Sequence, residues 1–241
     1  MKAMIFAAGV GKRLGQITQT VPKALVEIGG KSILRICVEK LNREGFDDII
    51  INVHHLADML EKEVRILIQE GFRISVSDER DELLETGGGL FKARWFFGKE
   101  PFLVYNTDII SNIDLSEMMR SHIKNDSIAT LAVAERDHDR VFLTDDKGLI
   151  FGWKNRKTGE RIISREITGH VEELSFSGIH IVNPRIFSYM SEGVYSMTSL
   201  YLDIAGREKI STYRHDNDLW IDMGTPEQLD LARRMHAEGR I

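Results

Sequence analysis

The sequence has little cysteine, little proline and no long apolar run, and each shortage excludes something. Cys37 is the only cysteine in 241 residues, so no internal disulfide can form and no zinc cluster can be built on several thiolates. A reducing compartment fits this usage. Four prolines are too few and too scattered to mark an interdomain linker. No apolar stretch approaches the roughly 18–20 residues that span a bilayer. The apolar opening at residues 3–10 is short and lacks a small-residue cleavage site, so a secretion signal is not expected. The expected location is the cytoplasm, away from any membrane. A surplus of positive charge is missing too. Acidic residues number 37 against 32 basic, a net charge of −5, which argues against nucleic acid as a partner. Any anion site must be local, and Lys12, Arg13, Lys23 and Lys31 crowd the first turn region.

Short β-like runs alternate with amphipathic stretches, the pattern of a mostly parallel sheet covered by helices on both faces. Residues 2–8, 48–53, 72–77, 101–106 and 127–135 read as strands. Residues 32–45, 56–71, 88–97, 114–124 and 225–239 read as helices, with 183–190 and 199–206 helical as well. Asp114 and Glu117 form a D-x-x-E capping box. Residues 141–182 contain short strands and polar turns without a helix, an antiparallel excursion. Residues 210–215 and 219–222 return to strand. The expected fold is α/β, a Rossmann-like three-layer αβα arrangement around a mostly parallel mixed sheet with a small antiparallel β excursion. It is expected as one domain over 1–241, read in two halves, 1–135 and 136–241.

The glycine turn after the first strand, AAGVGKRLG, fails two phosphate-binding templates. Gly9, Gly11 and Gly15 give G-x-G-x-x-x-G, one residue too long for the dinucleotide fingerprint. In the Walker A register, Phe6 and Leu25 stand where the first glycine belongs. The chemistry of the turn survives. Consecutive amides free of Cβ crowding can wrap a polyphosphate, Arg13 offers a planar donor fork, and Lys23 adds a mobile charge. The alternative is a tight strand–loop connection with solvated charges.

Taken together, F-A-A-G-x-G-x-R-L (residues 6–14), V-P-K-x-L (21–25), INVHHLADML (51–60), LLETGGGL (83–90), YNTD (105–108), FSGIHIVNP (176–184) and WIDMGTPEQL (220–229) resemble the sugar-1-phosphate nucleotidylyltransferases, in order and over nearly the whole chain. N-V-H-H-L-A and L-E-T-G-G-G are most similar to the N-acetylmuramate-1-phosphate uridylyltransferase and mannose-1-phosphate guanylyltransferase branch. The resemblance implies attack of a sugar phosphate oxygen on the α-phosphorus of an NTP, with pyrophosphate leaving and Mg²⁺ assisting. It implies UTP with an N-acetylmuramate-1-phosphate-like sugar, the nucleotide mainly on residues 1–135 and the sugar phosphate mainly on residues 136–241. Alternatives are GTP with mannose- or heptose-1-phosphate, CTP with phosphocholine, or a non-catalytic nucleotide-sugar sensor.

Asp108 and Asp222 each end a strand, and the adjacent helix caps are already filled by Asp114 and Thr225. Two free hard oxygen ligands suit Mg²⁺, and the resemblance makes them its metal pair. It also implies that Arg13 holds the β- and γ-phosphates and Lys23 the α-phosphate. Ala7, Ala8, Gly9, Gly11, Gly88 and Asn106 would face the nucleotide. Glu82 or Glu79 would accept from a base N–H. Lys154, in G-W-K-N where the family usually has E-K-P, would meet the sugar phosphate, with Phe176 and Gly178 lining the sugar pocket. His54 and His55 are adjacent and point to opposite faces of an extended chain, so they make no zinc site. Trp95, Phe96 and Phe97 read as core. The sequence assigns no oligomeric state.

Overall fold

A computed structural model describes all 241 residues. In chain order the elements are β1 (Lys2–Phe6), α1 (Ile17–Thr20), β2 (Glu27–Ile28), β3 (Lys31–Ser32), α2 (Ile33–Arg43), β4 (Asp48–Val53), α3 (Ala57–Gln69), β5 (Arg73–Asp78), α4 (Glu85–Lys92), β6 (Phe102–Asn106), β7 (Ile109–Ser111), α5 (Leu115–Asn125), β8 (Ala129–Ala134), β9 (Arg140–Thr144), β10 (Ile150–Asn155), β11 (Arg161–Ile163), β12 (Glu172–Val182), α6 (Met197–Ile204), β13 (Ile210–Arg214), β14 (Trp220–Asp222) and α7 (Pro226–Ala237). The chain divides into two compact units. The first comprises Met1–Glu85, Val104–Asn112 and Leu219–Ile241, and the second Thr86–Leu103 and Ile113–Asp218. No helix is long and apolar enough to cross a membrane.

In the first unit the strand order is β6–β1–β4–β5, with β1–β4 and β4–β5 parallel. The β-branched run of β4 is buried on both faces, as a central parallel strand requires. Ser32 caps α2 by accepting from the Arg35 amide at 3.1 Å, and Gly45 at φ 85° ends it. The β2–β3 hairpin turns on Gly29 and Gly30, at φ 58° and 80°. Positive φ at both positions is the primed turn that two-residue hairpins demand.

The second unit supplies the antiparallel part, in the order β11–β10–β9–β12, with β8 on β12 and a parallel β13 on β8. The mixed sheet and the antiparallel excursion expected from the sequence are both present. Asp114 caps α5 through the Glu117 amide at 2.7 Å, as its capping box predicts. Two helical expectations change. Pro184–Tyr189 is a 3-10 segment, and α4 begins at Glu85 and gives way to 3-10 at Ala93–Phe96. Phe97, Phe102 and Phe187 stack face to face, but Trp95 is 64% exposed and lies outside the core.

Two buried histidines give this unit a pH dependence. His122 Nδ1 lies 2.9 Å from Thr130 Oγ1, and burial pushes its pKa down to about 4. His180, enclosed against Tyr201, falls to about 3 for the same reason. In the unfolded chain both titrate near 6.5. Below that pH the unfolded state takes up protons that the folded state refuses, so stability present at pH 7 is lost as pH falls towards 4. The cost is on the order of 3 kcal/mol for each group. The urea midpoint is expected to drop between pH 7 and pH 4.5, and His122→Asn to flatten that slope. An unchanged slope in the variant would contradict this assignment.

Candidate active site

In the first unit the apolar strand β1 delivers its C-terminal end into the glycine turn. The Ala7 and Ala8 amides, the last before that turn, donate to Asn52 Oδ1 at 2.8 and 3.3 Å. Asn52 in turn donates through Nδ2 to Glu79 Oε1 at 2.8 Å, and both residues are buried. Asn52 is the one polar residue inside the apolar run of β4, a signal in the sequence whose purpose shows only with Glu79 in place. Beyond Ala8 the amides of Gly9, Val10 and Gly11 make no hydrogen bond within the chain. Gly11 sits in the left-handed region at φ 68°, and a Cβ there would lie 2.8 Å from Thr18 Cγ2. Thr18 braces the turn by donating to the Gly11 carbonyl at 3.0 Å. The turn is therefore braced at Gly11 and presents free donors.

The two sequence-selected carboxylates come together on a two-stranded ladder. β14 pairs antiparallel with β7, placing Asp222 opposite Ile109, and the Met223 amide donates to the Asp108 carbonyl at 2.8 Å. Lys23 Nζ forms an ion pair with Asp108 Oδ2, and Arg13 Nη2 lies 3.6 Å from Asp222 Oδ2. Lys23 is mostly buried, its side chain 13% exposed, whereas that of Arg13 is 63% exposed. Asp222 Oδ1 is buried without a hydrogen-bond partner. Burial, and then the charge of Asp108, raise the Asp222 carboxyl above its usual range, against the pull of Lys23 and Arg13. Gly224 lies close under this pair: a Cβ there would fall 2.3 Å from Arg13 Nη2 and 2.7 Å from Asp222 Oδ1, so a larger residue would displace one or both side chains.

The remaining candidates are placed as follows. Asn106 is half-buried at the end of β6, and Glu82 is exposed with no hydrogen bond from its carboxylate. Glu79 is fully buried. His54 and His55 bond the carbonyls of Glu79 and Thr18 at 2.7 and 3.2 Å. In the second unit Gly88 is buried in α4, its amide 3.3 Å from the Tyr195 carbonyl. Lys154 and Arg156 both bind Glu173, at 2.7 and 2.8 Å, and hold that carboxyl below its usual range. Phe176 meets Phe142 edge-on, 6.2 Å between centroids, beside a cavity of about 470 Å³ shared with Trp153. Gly178, at φ 74°, occupies the register shift where β12 bulges against β8.

No group of three or more His, Cys, Asp or Glu side chains is arranged to enclose a metal. Two adjoining carboxylates, one with an orphaned buried oxygen, suit a cation that keeps water and substrate oxygens in its shell, as Mg²⁺ does.

Comparisons agree with this architecture. The model of the family described as nucleotidyl transferase matches residues 2–142. An N-acetylmuramate alpha-1-phosphate uridylyltransferase of Caulobacter vibrioides is 28% identical over 99% of this chain and 96% of its own length. A mannose-1-phosphate guanyltransferase beta-B of Xenopus laevis is 29% identical over 99% of this chain and 65% of its own. The crystal structure of HddC from Yersinia pseudotuberculosis superposes with a TM-score of 0.75 at 23% identity, covering 98% of this chain and 99% of the other, a likeness of fold. With that family match spanning more than half the chain, this protein belongs to the nucleotidyl transferase family.

Proposed function

We propose that this chain is a Mg²⁺-dependent sugar-1-phosphate nucleotidylyltransferase using UTP and an N-acetylmuramate-1-phosphate-like sugar. The observation that carries the reading is the junction of Asp108, Asp222, Lys23 and Arg13 at one end of the first unit's strands. The nucleophile is already an anion, so little proton transfer is needed. The task is to bring anions together and neutralise the charge that develops. Asp108 and Asp222 would hold Mg²⁺, which when bound supplies charge neutralisation at the phosphates. The Gly9, Val10 and Gly11 amides would cradle phosphate oxygens. Arg13, exposed and forked, would hold the β- and γ-phosphates and the departing pyrophosphate. Lys23 would stand at the α-phosphate. The Asn52–Glu79 bridge fixes the Ala7–Ala8 backbone, and Glu82, with Asn106 and Gly88, is assigned to the base side.

Lys154 is assigned to the sugar phosphate, and Phe176 and Gly178 to the sugar. The uridylyl reading is supported by the near full-length match to the Caulobacter protein, whereas the guanyltransferase extends well beyond this chain. The test is pyrophosphate release with Mg²⁺, each NTP and a panel of sugar-1-phosphates. One pair, containing UTP, is expected to react. Silence across the panel with nucleotide still bound would favour a sensor. Lys154→Ala is expected to raise the sugar-phosphate KM about tenfold, roughly the 1.4 kcal/mol of one charge-assisted contact. The NTP KM should change little, and a reversed pattern would reject this placement.

A further inference from the structure

In the second unit, β12 leaves its ladder at the residues assigned to the sugar. Phe176 pairs with Val133 of β8 and His180 with Leu131, so Ser177, Gly178 and Ile179 stand opposite Ala132 alone. Gly178, at φ 74°, admits that excess of chain. A bulge of this kind re-aims side chains and gives up ladder hydrogen bonds, so other groups must hold it. Arg136 Nη2 donates to the Ser175 carbonyl at 3.2 Å, the Phe176 carbonyl at 3.0 Å and Ser177 Oγ at 2.9 Å. Ser177 Oγ in turn lies 2.6 Å from His215 Nε2, and both residues are buried. The His215 amide donates to the Val133 carbonyl at 3.1 Å, on the residue opposite Phe176.

The chemistry of this chain of contacts has a direction. A guanidinium only donates, so Ser177 accepts from Arg136 and keeps its own hydroxyl proton to give. Burial, and then the charge of Arg136, hold His215 below the usual histidine range, against the pull of Asp218 and Asp216. The imidazole is therefore neutral at pH 7, with Nε2 free to accept from Ser177 and the proton on Nδ1. Nδ1 is buried without a hydrogen-bond partner. An apolar side chain would fill the same space without leaving a donor unpaired. What it could not supply is the acceptor for Ser177.

We propose that Arg136, Ser177 and His215 are positioning residues for the sugar-1-phosphate. None of them touches the substrate. Their hydrogen bonds lock the bulge, and the bulge sets Phe176 as one wall of the sugar cavity. Phe176 meets Phe142 and His180 edge-on, at 6.2 and 5.4 Å between centroids, and borders the cavity together with Trp153. The inference rests on the assignment of Phe176 and Gly178 to the sugar given above. Loosening the bulge displaces that wall, whereas Gly11, Arg13 and Lys23, assigned to the triphosphate, belong to the first unit. The sugar phosphate should therefore feel the loss and the NTP should not.

The test measures kcat and both KM values of the full chain with Mg²⁺ and the reactive pair from the panel above. Phe176→Ala comes first and is expected to raise the sugar-phosphate KM about tenfold or more. Ser177→Ala removes one small buried hydroxyl. It should raise the same KM about tenfold and leave the NTP KM within about twofold. Arg136→Met should act in the same direction and more strongly. His215→Leu should match Ser177→Ala, whereas His215→Gln, which offers a neutral acceptor near the position of Nε2, should recover most of the sugar-phosphate affinity. Melting temperatures establish that each variant is folded. Equal losses of both affinities, or a His215→Gln no better than His215→Leu, would mean that the three residues only support the fold, and overturn the inference. If no pair reacts, or Phe176→Ala leaves the sugar-phosphate KM unchanged, the sugar assignment falls and the inference with it. If Phe176→Ala raises that KM and Ser177→Ala does not, the positioning role alone falls.

Discussion

Asp222→Asn is expected to cut pyrophosphate release by about 10³-fold or more while raising the melting temperature of the metal-free protein. The two effects share one cause. Without a cation, the Asp222 carboxylate is desolvated, faces the charge of Asp108, and has one oxygen without a partner. Its folded pKa is raised, so the folded state disfavours the ionised form that the unfolded chain adopts above about pH 4. That penalty grows as pH rises through the unfolded value and persists at neutrality. Asparagine removes it. A gain of about 1 kcal/mol would appear as roughly 2–4 °C in a chain of this size. The same change removes a hard anionic ligand worth several kcal/mol in the transition state, and each 1.36 kcal/mol is tenfold in rate. Asp108→Asn should lose turnover similarly but lower the melting temperature, because it strands the largely buried Lys23 ammonium without its counter-ion. Differential scanning fluorimetry with and without Mg²⁺ separates the cases: wild type is stabilised by the ion and either variant much less. Near-normal turnover in both would dissolve the metal assignment.

Much of this architecture was legible because it is carried by local signals. The buried β-branched run fixed β4 at residues 48–53, and the side-chain caps at Asp114 and Thr225 placed the starts of two helices. Asp108 and Asp222 stood out because neighbouring residues had already taken the capping work. The ladder that joins them, β7 with β14, was not legible. The strand at 219–222 is visible but its partner is not, because three-residue β7 carries no periodicity and the pairing spans more than a hundred residues of chain. The Asn52–Glu79 bridge escaped for a similar reason, since an asparagine within a strand shows its purpose only when a distant partner is in place. Between Glu79 and Glu82 the sequence left the choice open, as both lie in an acidic stretch that reads as solvated. Burial separates them, the first spent on Asn52 and the second exposed. Trp95 misled through composition, because an aromatic cluster suggests core, yet Phe97 and Phe102 complete the stack without it.

Lys23→Ala is expected to lower turnover about 10²–10³-fold, the loss typical of removing one preorganised charge at a reacting centre. The result should differ in kind from the loss of Arg13. Arg13 is exposed and reaches Asp222 only at 3.6 Å, so Arg13→Ala should act through nucleotide affinity and pyrophosphate departure with little effect on folding. Lys23 is largely enclosed and already paired with Asp108 in the absence of substrate. Removing it leaves two adjoining carboxylates with Arg13 as their only nearby cation, and pushes the Asp222 carboxyl further up. The metal-free variant should therefore lose stability as pH rises above about 4, where the Asp222 carboxyl ionises in the unfolded chain but resists doing so beside Asp108 when folded. Mg²⁺ should restore the melting temperature, since a divalent ion takes over the neutralisation that the ammonium supplied, but it should not restore turnover, because the charge beside the α-phosphate is gone. A melting temperature that neither falls with pH nor recovers with Mg²⁺ would show that Lys23 does not hold the carboxylate pair in balance. Unaltered turnover would show that it does not act on the substrate.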